Sequence, residues 1–101
     1  MEYIRLARGE YTAFTTPFPS THPSHGLFWV KTKGASSDVA LYANYHNGDL
    51  ITMCNGSDNK PKVNNPHIEW NCSKNQSYDI TVLNKGDNEE RFYIEKNFQW
   101  E

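Results

Sequence analysis

Gly, Pro, Asn and Asp interrupt this chain about every 8–12 residues, and this rhythm constrains its fold more than any other feature. Between the breaks, apolar residues alternate instead of recurring at the 3.6-residue spacing of a helix. The pattern predicts strands at Tyr3–Ala7, Tyr11–Thr15, Leu27–Thr32, Val39–Tyr45, Leu50–Cys54, His67–Cys72, Tyr78–Leu83 and Arg91–Glu95. Val39, Leu41, Ala43 and Tyr45 fall on one face of their strand, as do Tyr78, Ile80 and Val82 on theirs. Asn47-Gly48-Asp49 and Lys85-Gly86-Asp87-Asn88 each read as the turn of a hairpin. The segment Thr16–Gly26, with Pro17, Pro19 and Pro23, reads as a loop, as does Gly56–Pro66. The expected fold is a single all-β domain over residues 1–101, read as a small antiparallel β-sandwich. A β-trefoil or other compact barrel is the alternative. It is suggested by an echo between Phe28–Tyr42 and Tyr78–Ile94.

A chain of 101 residues holds one core. Leu, Ile, Val and Phe supply only 19 residues, so the three Trp, six Tyr and five Phe must carry much of the burial. Trp29, Tyr42, Ile80 and Val82 are the expected core positions. The formal net charge is −2 with no run of basic residues, which argues against a nucleic-acid partner. No apolar stretch reaches the length of a membrane span, so this segment is not expected to insert in a membrane. Arg5, Arg8 and Glu10 interrupt the apolar core that a signal peptide would need. Composition leaves a cytosolic chain and a mature secreted form equally open.

Cys54 and Cys72 end successive predicted strands, and a disulfide between them would close the Gly56–Pro66 loop. Such a bridge would contribute about 3 kcal/mol in the chain-entropy model. Two free buried thiols are the alternative. The sequence has three glycosylation sequons, at Asn55, Asn71 and Asn75, against about 1.5 by random placement of its 11 Asn. Their clustering around both cysteines favours a secreted or ER-lumenal protein, in mature form without its signal peptide.

Catalytic and metal motifs are scarce. The two cysteines lack zinc-site spacing, and His22 and His25 read as solvated loop residues, so no metal or cofactor is expected. One enzyme reading has residues behind it. Small secreted ribonucleases set a Glu, an Arg and a His on adjacent strands, and Glu69 and Arg91 could supply base and phosphate holder. No His follows His67 to complete the set, so the expectation is a non-enzyme.

Tyr45-His-Asn-Gly-Asp-Leu-Ile-Thr-Met-Cys-Asn-Gly-Ser57, then Trp70-Asn-Cys-Ser73, Tyr78-Asp-Ile-Thr-Val-Leu-Asn84 and Phe92-Tyr-Ile94 follow one another in the second half of the chain. This order resembles the immunoglobulin-like ectodomains of adenovirus early-region-3 and related cytomegalovirus glycoproteins. The resemblance covers about half the chain. Met1 to Gly34 has no counterpart in it, and Asn88-Glu-Glu-Arg91 replaces the family's closing Gly-Thr-Tyr-Tyr-like turn. The resemblance implies a small antiparallel β-sandwich of immunoglobulin-like type, a module that engages a host surface protein in immune modulation. A carbohydrate-binding, lectin-like domain and a ribonuclease-like effector are the alternatives.

Overall fold

The computed structural model describes residues 1–17 and 25–100. Eight strands form: β1 (Glu2–Leu6), β2 (Tyr11–Pro17), β3 (His25–Lys33), β4 (Val39–Tyr45), β5 (Leu50–Cys54), β6 (His67–Ser73), β7 (Ser77–Asn84) and β8 (Glu90–Trp100). Each matches an expected strand to within a few residues, except that β8 runs well past Glu95. Thr16, Pro17, His25 and Gly26, expected in a loop, belong to strands, while Pro19, His22 and Pro23 lie outside the described residues.

The strands build two antiparallel four-stranded sheets, in the orders β1-β8-β3-β6 and β2-β7-β4-β5. The expected β-sandwich is therefore the fold observed. Its pairings β1 with β8, β2 with β7, β3 with β6 and β4 with β5 are those of one long hairpin rolled on itself, the jelly-roll order. The β4–β5 turn is a true hairpin. Tyr45 accepts from the Gly48 amide at 2.8 Å, and the left-handed residue is Asn47 (φ 55°) rather than the glycine.

The second expected hairpin is corrected. Residues 85–88 join β7 in one sheet to β8 in the other, so this turn is a corner between layers. Its physical basis is Asn84, whose side chain is fully buried. Its amide donates to the carbonyls of Leu6 (3.2 Å), Ala7 (3.2 Å) and Asn88 (2.7 Å), and its Oδ1 accepts from the Gly86 amide (2.9 Å). These bonds tie the end of β1 and the β1–β2 turn to the β7–β8 corner. The β3-to-β4 corner at Gly34 (φ 84°) also switches sheets. The echo between Phe28–Tyr42 and Tyr78–Ile94 is thus a repeat of strand, corner, strand, and not of a trefoil unit.

Inward residues of both sheets fill the space between them. An aliphatic end holds Val30, Val39, Leu41, Val82 and Ile94. An aromatic chain links Tyr45, Tyr78, Trp70, Phe28 and Phe98, with ring centroids 4.4–6.0 Å apart. Ile80 and Val82 are core residues as expected. Trp29 and Tyr42 are not. Both point outward from their sheets and are half-buried, while Trp70, 5% exposed, takes the central place. In β3 both parities are apolar, Leu27 and Trp29 against Phe28 and Val30, so alternation alone does not say which side faces in.

Candidate binding face

The outer face of the first sheet is set by strand parity and register. Tyr3 stands opposite Tyr93, which stands opposite Lys33. Arg5 stands opposite Arg91 in the next row toward the β7–β8 corner. In the other direction come Glu95, Lys31 and His67, then Asn97, Trp29 and Glu69, then Gln99, Leu27 and Asn71. Tyr3 and Tyr93 are 52% and 46% exposed, and their rings meet edge to face at 5.4 Å. The Lys31 ammonium lies 4.5 Å from the Trp29 ring centre.

Glu89 organises the charged end of this face. It accepts from Arg91 Nε at 2.6 Å and lies 3.7 Å from Arg5 Nε. The Arg91 hydrogen bond holds the Glu89 carboxyl below its usual range. Glu89 in turn raises the Arg91 pKa, and a hydrogen bond with Tyr3 acts in the same direction. The pairs are solvent-exposed and contribute little stability; their effect is to fix the direction of two long side chains. The corner beneath is rigid. Glu90 accepts from the Ser36 amide (3.1 Å) and hydroxyl (2.6 Å), and Asn65 Oδ1 accepts from the amides of Gly34 (2.8 Å) and Ala35 (3.1 Å).

The sequence-derived candidates are distributed elsewhere. Cys54 and Cys72 are both free, which corrects the expected disulfide. Cys54 lies level with Leu41 and Val82, while the Cys72 thiol hydrogen-bonds with Tyr78, four residues further along β7. Those two positions of β7 are about 13 Å apart along the strand, which puts the cysteines toward its opposite ends. A disulfide tolerates a Cα separation of only about 4.4–6.8 Å. The chain enters β6 at the end where Cys54 sits, and Cys72 is carried to the opposite end. Burial raises the Cys72 pKa to about 11, so its thiol stays protonated and inert at neutral pH. Iodoacetamide is therefore expected to label Cys54 alone in the native protein, and both cysteines after unfolding. Peptide mass mapping would read this out, and labelling of native Cys72 would contradict the packing.

The Asn55 sequon is also corrected as a glycan site. Asn55 is buried with left-handed backbone (φ 64°). Its amide donates to the Val39 and Val63 carbonyls (2.9 and 2.8 Å), and its Oδ1 accepts from the Val63 amide (2.9 Å). The side chain is a loop clamp whose nitrogen has no room for a sugar. Asn71 and Asn75 are exposed, Asn71 on the outer face of β6 and Asn75 in the turn after it.

The ribonuclease-like pairing is not assembled. Glu69 and Arg91 share the outer face, but Glu69 lies level with Asn97, six residues from Arg91 along β8. That is about 20 Å, too far to hold one phosphate. His46 and Asp79 do form a dyad at 2.9 Å. Asp79 also accepts from the Thr15 hydroxyl (2.8 Å) and the Asn47 amide (3.2 Å), and His46 Nε2 meets Asn47 Nδ2 at 3.1 Å. The His46 hydrogen bond, then that of Thr15, holds the Asp79 pKa down. Both ring nitrogens are engaged, and Thr15 bonds the carboxylate instead of the imidazole, so the cluster pins the β4–β5 turn to β2 and β7. No three His, Cys, Asp or Glu side chains converge as metal ligands among the described residues. No helix among them is long and apolar enough to cross a membrane.

This face was not singled out from sequence. Its tyrosines and arginines come from β1 and β8, strands at the two ends of the chain, and only their pairing brings them together. No family model matches this sequence, and no curated protein matches it. Among solved structures, the pre-peptidase C-terminal domain of collagenase from Bacillus anthracis superposes with a TM-score of 0.64 at 8% identity. The match covers 94% of this chain and 87% of that one, and it shows a shared β-sandwich fold.

Proposed function

We propose that this sandwich is a non-catalytic binding module that engages a protein partner through the outer face of the β1-β8-β3-β6 sheet. The observation that carries the reading is the exposed Tyr3–Tyr93 pair beside Arg5 and Arg91. Tyr, Trp and Arg are the side chains that dominate protein–protein hot spots. Here they stand on strands over a rigid corner, so little ordering entropy is lost on docking. The resemblance of Tyr45–Ile94 to viral glycoprotein ectodomains makes a host surface protein the expected partner. Exposed sequons at Asn71 and Asn75 support an extracellular or lumenal setting.

Fluorescent tetramers of the domain on human leukocytes test this. Staining is expected to survive enzymatic removal of N-glycans and to vanish after protease treatment of the cells. The Tyr3→Ala/Tyr93→Ala double variant, folded by circular dichroism, is expected to bind at least about tenfold more weakly. Unchanged staining by that variant would reject the face. Loss on glycan removal alone would favour the saccharide-binding alternative.

A further inference from the structure

We infer that the partner presents an acidic polypeptide segment to the Arg5–Arg91–Lys33 end of this face; the inference rests on the protein-docking reading above. The chain as a whole carries a formal charge of −2. Yet Arg5, Arg91, Lys33 and Lys31 all project from adjacent rows of this one face. Two carboxylates stand among them, Glu89 and Glu95, so the end of the face is locally positive. Glu89 is shared between both arginines, and no carboxylate pairs with Lys33 among the described residues. The patch therefore holds more positive charge than the chain itself neutralises, and a docked anion completes it.

The geometry selects the class of anion. Guanidinium forks match carboxylates bidentately; Glu89 holds the Arg91 fork by a hydrogen bond and draws Arg5 beside it by charge at 3.7 Å. The Arg5–Arg91 row and the Tyr3–Tyr93–Lys33 row are two residues apart along the strands, about 6.7 Å. Carboxylates at alternate positions of an extended peptide have that same spacing of about 6.7 Å. Tyr3 and Tyr93 then pack on the apolar stems between them. A long sulfated polysaccharide fits less well. The cations form an isolated cluster, and Glu95 and Glu69 lie along the path such a polymer would follow across the face.

The probe is an immobilised random copolymer of glutamate and tyrosine, with immobilised heparin in parallel. Wild-type protein is expected to be retained on the copolymer at low salt and released by about 0.5 M NaCl. Arg5→Glu/Lys33→Glu is expected to weaken retention at least about tenfold, and Glu95→Lys to strengthen it about threefold or more. The Glu95→Lys gain cannot arise from misfolding. No retention of wild type, retention indifferent to these charges, or stronger retention on heparin than on the copolymer would overturn the inference. The same variants on leukocytes separate the two readings. If Tyr3→Ala/Tyr93→Ala loses staining and the charge variants do not, the acidic partner is rejected and the face stands. If none of them loses staining, the face itself is rejected.

Discussion

Replacing Asn84 by alanine is expected to cost about 3–5 kcal/mol, read as a fall of about 2–3 M in the urea midpoint. Four hydrogen bonds converge on this one fully buried amide, three donated to carbonyls and one accepted. Each would contribute only about 1 kcal/mol net if both partners returned to water. Here the partners stay behind. Truncation strands the buried Leu6 carbonyl at the end of β1 and cuts the tie between Ala7 and Asn88, although the Ala7 carbonyl keeps the Glu10 amide at 3.0 Å. For a domain with a total stability of about 5–15 kcal/mol, the loss is about a fifth or more. Asn84→Asp is the sharper variant. It keeps the shape but points a carboxylate oxygen at three carbonyl oxygens, and it is expected to be at least as damaging. A fall of less than about 1 kcal/mol in either variant would show that the corner is held by something else.

The second large effect separates two tryptophans. Trp70→Ala is expected to lose about 3–5 kcal/mol, and Trp29→Ala about 1 kcal/mol or less. Trp70 is 5% exposed, inward-facing, and in ring contact with Phe28 at 4.9 Å and Tyr78 at 5.8 Å. Its removal empties the joint between the two sheets at their aromatic end, and the aromatic neighbours are too rigid to close the gap. Trp29 is on the outer face of β3 with Lys31 above it, so its truncation exposes a surface and leaves no cavity. Thermal unfolding of both variants under one buffer decides the matter. Equal losses would mean that the face assignment of β3 or β6 is wrong.

The candidate face is illegible in the sequence for a related reason. Tyr3 and Arg5 lie some ninety residues from Tyr93 and Arg91, and nothing local to either stretch signals that they meet. Glu89 lies in a stretch read as a hairpin connection, where its reach toward both arginines has no counterpart in local pattern. The cysteines and the Asn55 sequon failed in the opposite way. Their local pattern was clear, but it was answered by tertiary placement. A 12 residue loop that returns the chain to the same end of the sandwich separates Cys54 from Cys72 by the length of β6. The amide at Asn55 is spent on the loop that it was thought to decorate.

The strand rhythm is what the sequence by itself determined. Eight strands, their rough bounds and the all-β class follow from alternation and from Gly, Pro, Asn and Asp at the breaks, which are properties of neighbouring residues. Only the tertiary structure decided which breaks were hairpins and which were corners, which parity of β3 faced the core, and which asparagines became clamps. Each of these depends on the second sheet. A turn becomes a corner because the next strand finds its partner in the other layer. An asparagine becomes a clamp because backbone carbonyls from distant segments are delivered to it.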